Sequence, residues 1–249
     1  MLTQRRFGLR TKILLSSFVF GGATVCGAIE ESKTSGEFIS RVSEVLPVED
    51  RYEYHQQLKT GSVHDVRRDP NAQATSDEMT IPAKDWRLII HEDADPLVRY
   101  AAEDLKAFLK SSMEVTVEKI SEDSLDSWGS WSNVIVAGTK DQLPGLGQDL
   151  RGPKDYEIQV TPDRIVVCGF DASGVRFGLF NLEERMSLRE GPFLPRDLHT
   201  VRHSLYQTRM VLSWLGWMEW PDSYLSHLAH DGYDAIFASV YANPNGVEG

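Results

Sequence analysis

Arg209, Glu219 and Asp222, set among Trp214, Trp217 and Trp220, are the residues of this 249-residue sequence whose types and spacing could do chemistry. Arg209 lies in an otherwise apolar stretch, residues 206–217. A guanidinium there is costly unless paired, which leaves a structural salt bridge or a contact to substrate. The three indoles fall within seven residues. Flat indole faces suit the apolar faces of pyranose rings and lose little conformational freedom on binding, which makes Trp214 and Trp217 candidate sugar contacts beside Arg209; packing in a core explains one or two of them equally well. Glu219 and Asp222 are acids on the same side of that stretch, but Asp222 follows Pro221 at a helix start, where capping accounts for it. No residue is assigned as catalytic. Asn243 and Asn245 could hydrogen-bond hydroxyls, although Asn-Pro-Asn-Gly is plain turn chemistry.

Other constellations fail on spacing. A helical zinc pair needs two histidines four apart with a glutamate beside the first, whereas His227 and His230 are three apart without one, and His91-Glu92 has no second histidine. His55 and His64 stand without partners at ligand spacing and are expected in solvent. Gly145-Leu146-Gly147 lacks the rest of a dinucleotide fingerprint. No metal and no cofactor is therefore expected.

The first 28 residues have the pattern of an export signal. Arg5, Arg6, Arg10 and Lys12 precede a short apolar run over residues 13–25, and Cys26-Gly27-Ala28 offers small side chains for cleavage. The run falls short of the ~20 residues a membrane span needs. Cleavage withdraws four positive charges and takes the formal net charge from -11 to -15. Such a surface repels nucleic acid and anionic membranes. Cys168 would then be the remaining cysteine, which precludes an internal disulfide. A secreted or periplasmic product follows, with no nucleic-acid partner and no membrane attachment after cleavage.

The elements that must position these residues follow in order. Residues 29–80 read as linker or irregular extension. Over 81–195 the patterns predict a strand at 86–91, a helix opened by Asp95-Pro96 and running to about residue 111, and strands at 115–120 and 133–138. A hairpin over 156–170 and a helix capped by Ser173 complete the unit. That helix buries Val175, Leu179, Leu182 and Met186, and Gly174 and Gly178 allow it a close approach to its sheet. Trp128 and Trp131, in a polar loop, could contact carbohydrate or plug an interdomain surface, of which the plug is the favoured reading. The order β-α-β-β-β-β-α describes an α/β sandwich, a mixed sheet with helices on one face. From 196 to 249 the pattern changes to a buried strand at 206–217, a helix from Pro221 to a stop at Gly232, and a strand at 234–241. Strand, helix, strand is the repeating unit of a parallel β/α barrel, here incomplete.

Together, Asp95 to Leu109 (DPLVRYAAEDLKAFL), Asn133 to Thr139 (NVIVAGT), residues 155–170 and above all Ala172 to Leu182 (ASGVRFGLFNL) resemble one known arrangement. It is the N-terminal region of secreted glycoside hydrolases of the β-N-acetylhexosaminidase and α-glucuronidase type. The resemblance covers roughly residues 80–245. It implies a non-catalytic α/β accessory domain of zincin-like shape, binding no metal, followed by the start of a (β/α)8 catalytic barrel. Tyr206-Gln207-Thr208-Arg209 matches in register the arginine that binds sugar hydroxyls, with Met210 where glycine is usual. The implied partners are a carbohydrate substrate and the remainder of the barrel, whose strands would carry the catalytic acids. The alternative is a secreted carbohydrate-binding or scaffolding module without catalysis. No turnover is expected of this chain alone.

Overall fold

The structure is a computed structural model that describes residues 59–213 and 220–238. The export pattern, His55, Trp214, Trp217, Glu219, Asn243 and Asn245 lie outside the described residues.

A six-stranded mixed sheet forms the centre. In chain order its strands are β2 (Trp86–His91), β3 (Val117–Glu122), β4 (Val134–Thr139), β5 (Tyr156–Thr161), β6 (Arg164–Gly169) and β8 (His199–Arg202). They lie in the order β3-β2-β4-β6-β5-β8. The first four in that order run parallel, while β5 is antiparallel to both β6 and β8. A short pair, β1 (Glu78–Thr80) with β7 (Phe193–Pro195), lies apart from the sheet. Strand β8 falls beyond the expected boundary at residue 195 and closes the edge of this sheet by pairing with β5.

Two helices cover one face. Helix α1 (Pro96–Ser111) starts where Asp95 accepts a hydrogen bond from the Leu97 N–H at 2.8 Å and proline occupies the first turn. Helix α2 (Ala172–Leu188) is capped by Asp171, which accepts from the Gly174 N–H at 2.8 Å. The expected cap, Ser173, lies inside the helix; Asp171 takes the role because its extended backbone turns the carboxylate toward the free N–H groups. The close approach of α2 is real. A methyl group on Gly174 would overlap the Asp155 carbonyl oxygen, and one on Gly178 would overlap Val167.

Alternation along the strands sorts side chains into two cores. Leu88, Ile90, Ile135, Ile158, Ile165 and Val167 face the helices. Ile89, Val134, Val136, Val166 and Cys168 face the opposite way, under Leu125, Leu143 and Leu150. Burial on both sides explains the unbroken apolar run in β6. It also pushes the Cys168 thiol up to about 12, since burial disfavours the thiolate. Trp128 and Trp131 are partly buried against this second core. Arg164 holds their loop, donating to the carbonyls of Trp128 and Trp131 at 3.2 Å each.

The part of the expected linker from residue 59 to 80 is tied to the ends of both helices. The Arg68 N–H donates to the Ser112 carbonyl at 2.7 Å, and the Asp69 N–H donates to the Glu190 carbonyl at 2.8 Å.

Beyond the sheet, β9 (Met210–Ser213), α3 (Asp222–His230) and β10 (Ala235–Ala238) form a strand-helix-strand unit with β9 and β10 parallel. Gly232, with φ +86°, ends α3 as expected. Asp222 lies in the first turn of α3 and no side chain caps that end, so the capping expectation for it is corrected. Apolar side chains along β9 and β10 are open to solvent. Met210 is 51% exposed, Leu212 48% and Phe237 49%, because no layer among the described residues covers that side.

Candidate functional site

A cleft of about 570 Å3 separates α2 from the strand-helix-strand unit; its walls include Phe177, Arg202, Arg209 and Asp234, with Glu183 and His230 at one end. Several contacts among the described residues join its sides. The Lys154 ammonium pairs with the Asp234 carboxylate and donates to the Gln207 carbonyl. The ring of His230 stacks on Phe180, with centroids 3.8 Å apart.

Arg209 stands immediately before β9. Its N–H donates to Asp234 Oδ1 at 3.0 Å, and its carbonyl accepts from the N–H groups of Asp234 and Ala235 at 3.1 and 3.2 Å. These bonds set the starts of β9 and β10 side by side. The residue is exposed rather than buried in the strand, so the cost foreseen for a guanidinium inside an apolar layer does not arise. Its side chain lies over Gly232 and lines the cleft, where a guanidinium brings a planar fork of donors. Such a fork can bind sugar hydroxyls or a carboxylate. Trp220 stacks on Tyr224 at 5.8 Å and lies outside the cleft lining, and Asp222 is likewise absent from it.

Four side chains from distant parts of the chain converge where Glu183 and His230 line the cleft: His64, Asp104 on α1, Glu183 on α2 and His230 on α3. One ligand-type atom from each lies within 4.8 Å of all the others. His230 Nε2 is 2.7 Å from Asp104 Oδ2 and 3.1 Å from Glu183 Oε2. His64 Nε2 is 3.5 Å from each of the same oxygens. The expectation of a solvated His64 is therefore corrected: its side chain is 12% exposed and lies edge-on to Phe108. Its backbone carbonyl accepts from the Ser112 hydroxyl at 3.0 Å, which fixes the segment in place.

The charges balance within the cluster. Burial works against the charged form of each imidazole, but the nearby carboxylates of Asp104 and Glu183 outweigh it, raising His64 to about 9 and His230 to about 10. For Asp104 burial acts upward, and the two histidines overcome it, holding the carboxyl at about 2.

The four residues are 64, 104, 183 and 230, so no local spacing announces them. A weaker signal was present. Asp104 sits three residues after Ala101 and four before Phe108, inside the apolar stripe of α1, and Glu183 sits four after Leu179 and three before Met186 in α2. A carboxylate on the buried face of each of two packed helices requires a partner.

No family model matches the chain, and no curated protein matches it. Among solved structures, the chain is similar to a family GH115 4-O-methyl-α-glucuronidase with specificity for decorated arabinogalactans, at 15% identity over 54% of this chain and 19% of that one, with a TM-score of 0.41. It is also similar to a GH138 enzyme targeting pectin rhamnogalacturonan II, at 12% identity over 63% of this chain and 24% of that one, with a TM-score of 0.44. A third, CpGH84B, gives 12% identity over 70% of this chain and 29% of that one, with a TM-score of 0.46. The chain spans between 19% and 29% of the length of these three proteins.

Proposed function

We propose that this chain is the N-terminal part of a secreted glycoside hydrolase, hexosaminidase-like or α-glucuronidase-like, acting on a polysaccharide or oligosaccharide. The six-stranded domain is its non-catalytic accessory domain, and β9, α3 and β10 open its catalytic (β/α)8 barrel. One observation carries the reading. Strands β9 and β10 are parallel, joined through a helix, and leave Met210, Leu212, Ile236 and Phe237 between 37% and 51% exposed. Parallel strands are stable where both faces are covered, so this pair calls for further strands and helices around it.

In that assembly Arg209 stands at the start of β9 and contacts sugar hydroxyls or a uronic carboxylate, and Trp214 and Trp217 supply stacking surfaces. The working acids come from later strands, since glycoside hydrolysis needs two carboxyl groups about 5–9.5 Å apart or one assisted by a substrate group. The 249-residue chain is therefore inactive by itself. The test is to express the chain alone and joined to its encoded continuation, and to assay both on chromogenic N-acetylhexosaminides and glucuronoxylan oligosaccharides. Hydrolysis by the longer product alone is expected. Turnover by the 249-residue chain contradicts the reading, as does failure of the longer product on every glycoside offered.

A further inference from the structure

We propose that His64, Asp104, Glu183 and His230 form a four-coordinate site for a divalent transition-metal ion of the zinc class, which clamps the β9-α3-β10 unit to the accessory domain. The proposal stands independently of whether the protein cleaves glycans.

The donor set suits such an ion. Two imidazole nitrogens and two carboxylate oxygens are zinc ligands, whereas calcium takes six to eight oxygens and magnesium keeps several waters. Donors held tetrahedrally about 2.0–2.1 Å from one ion lie about 3.3–3.4 Å from one another. The four separations between a histidine nitrogen and a carboxylate oxygen here are 2.7, 3.1, 3.5 and 3.5 Å, close to that spacing on either side. A metal ion would displace the ring protons from both imidazoles, and two carboxylates with two imidazoles then neutral cancel its double positive charge, which a largely buried position demands.

Hydrogen bonding within the cluster is incomplete. His64 Nε2, Asp104 Oδ2 and Glu183 Oε1 are buried and make no hydrogen bond. Asp104 Oδ2 and His230 Nε2 approach to 2.7 Å without the alignment of one. His230 Nε2 does bond Glu183 Oε2, but the buried His64 Nε2 and Asp104 Oδ2 beside them are left without a hydrogen bond, and a shared cation would satisfy both. His230 adds an independent sign. Its Nδ1–H donates to the Ser226 carbonyl at 2.8 Å, the outer-sphere bond that aims the Nε2 lone pair of a metal-bound histidine.

Four protein donors leave no open position, so the site is structural rather than catalytic. It ties together the segment before β1, both helices of the accessory domain, and the helix between β9 and β10. Metal bound to the folded chain adds its binding free energy to that junction.

The test uses the full chain without an affinity tag, stripped with EDTA, given zinc chloride and then freed of excess. Elemental analysis should find about one zinc per chain, and zinc should raise the melting temperature of the stripped protein. Cobalt(II) in its place should show the intense visible absorption of a tetrahedral ion. His64→Ala should weaken zinc binding by about 100-fold or more and abolish the zinc-dependent melting shift, with far-UV circular dichroism unchanged. Asp104→Asn provides a second variant with the same expected loss, and His199→Ala, remote from the cluster, should bind as wild type. A wild-type chain that takes up no zinc, or variants at His64 and Asp104 that bind as wild type does, overturns the proposal.

Discussion

Nε2 of His230, on the helix between β9 and β10, lies 3.1 Å from Oε2 of Glu183, on the helix that covers the six-stranded sheet. Forty-seven positions separate them in the chain. Replacing His230 by alanine leaves Glu183 and Asp104 facing each other with His64 as their remaining partner. Leaving a buried charge uncompensated costs about 3–5 kcal/mol. His230→Ala should therefore lower the urea midpoint and expose the segment around residue 232 to limited proteolysis, while a cut within the six-stranded sheet is not expected.

Glu78 ties β1 to the end of α2 through Arg189, with Nε to Oε1 at 2.7 Å and Nη2 to Oε2 at 2.9 Å. The Arg189 hydrogen bonds are the main reason its carboxyl is held at about 2, below the ordinary 4.5. A depressed folded-state value contributes stability above the ordinary value and loses it as pH falls through 2. Glu78→Gln should melt below wild type at pH 7, and the gap should close as pH is lowered from 4.5 toward 2. A gap independent of pH would assign the effect to something other than this ion pair.

Gly174 lies where α2 meets the turn at Asp155. A methyl group there collides with a backbone carbonyl that cannot rotate aside, and overpacking of this kind costs about 1–3 kcal/mol. Gly174→Ala should lower stability by that amount in chemical denaturation, whereas Gly152→Ala, with open space around it, should not.

Arg209 is exposed, so Arg209→Ala should change stability by no more than about 0.5 kcal/mol. In the longer product the same change should reduce kcat/KM on the preferred glycan by about tenfold or more, as expected when a charged hydrogen bond to substrate is lost. Loss of stability without loss of activity would make it a framework residue.

Local pattern carried the six-stranded domain. The Asp95-Pro96 start of α1, the hairpin of β5 and β6 and the two glycines of α2 were legible because each depends on neighbours within one or two turns. What escaped depends on distant pairing. Strand β8 is a four-residue edge strand recognised by its partner β5 rather than by its own sequence, and Asp171 displaced Ser173 as cap through a backbone geometry that composition does not encode. His64 escaped for the same reason. Nothing within its own segment predicts that α1, α2 and α3 bring Asp104, Glu183 and His230 to it.

The most direct measurement is a crystal structure of the chain together with its encoded continuation. The account predicts that β9 and β10 appear as adjacent staves of a closed eight-stranded parallel barrel, with Met210, Leu212, Ile236 and Phe237 covered and carboxylates from later strands gathered near Arg209. A β9-β10 pair that stays two-stranded, or that joins the edge of the six-stranded sheet at β8, would contradict it.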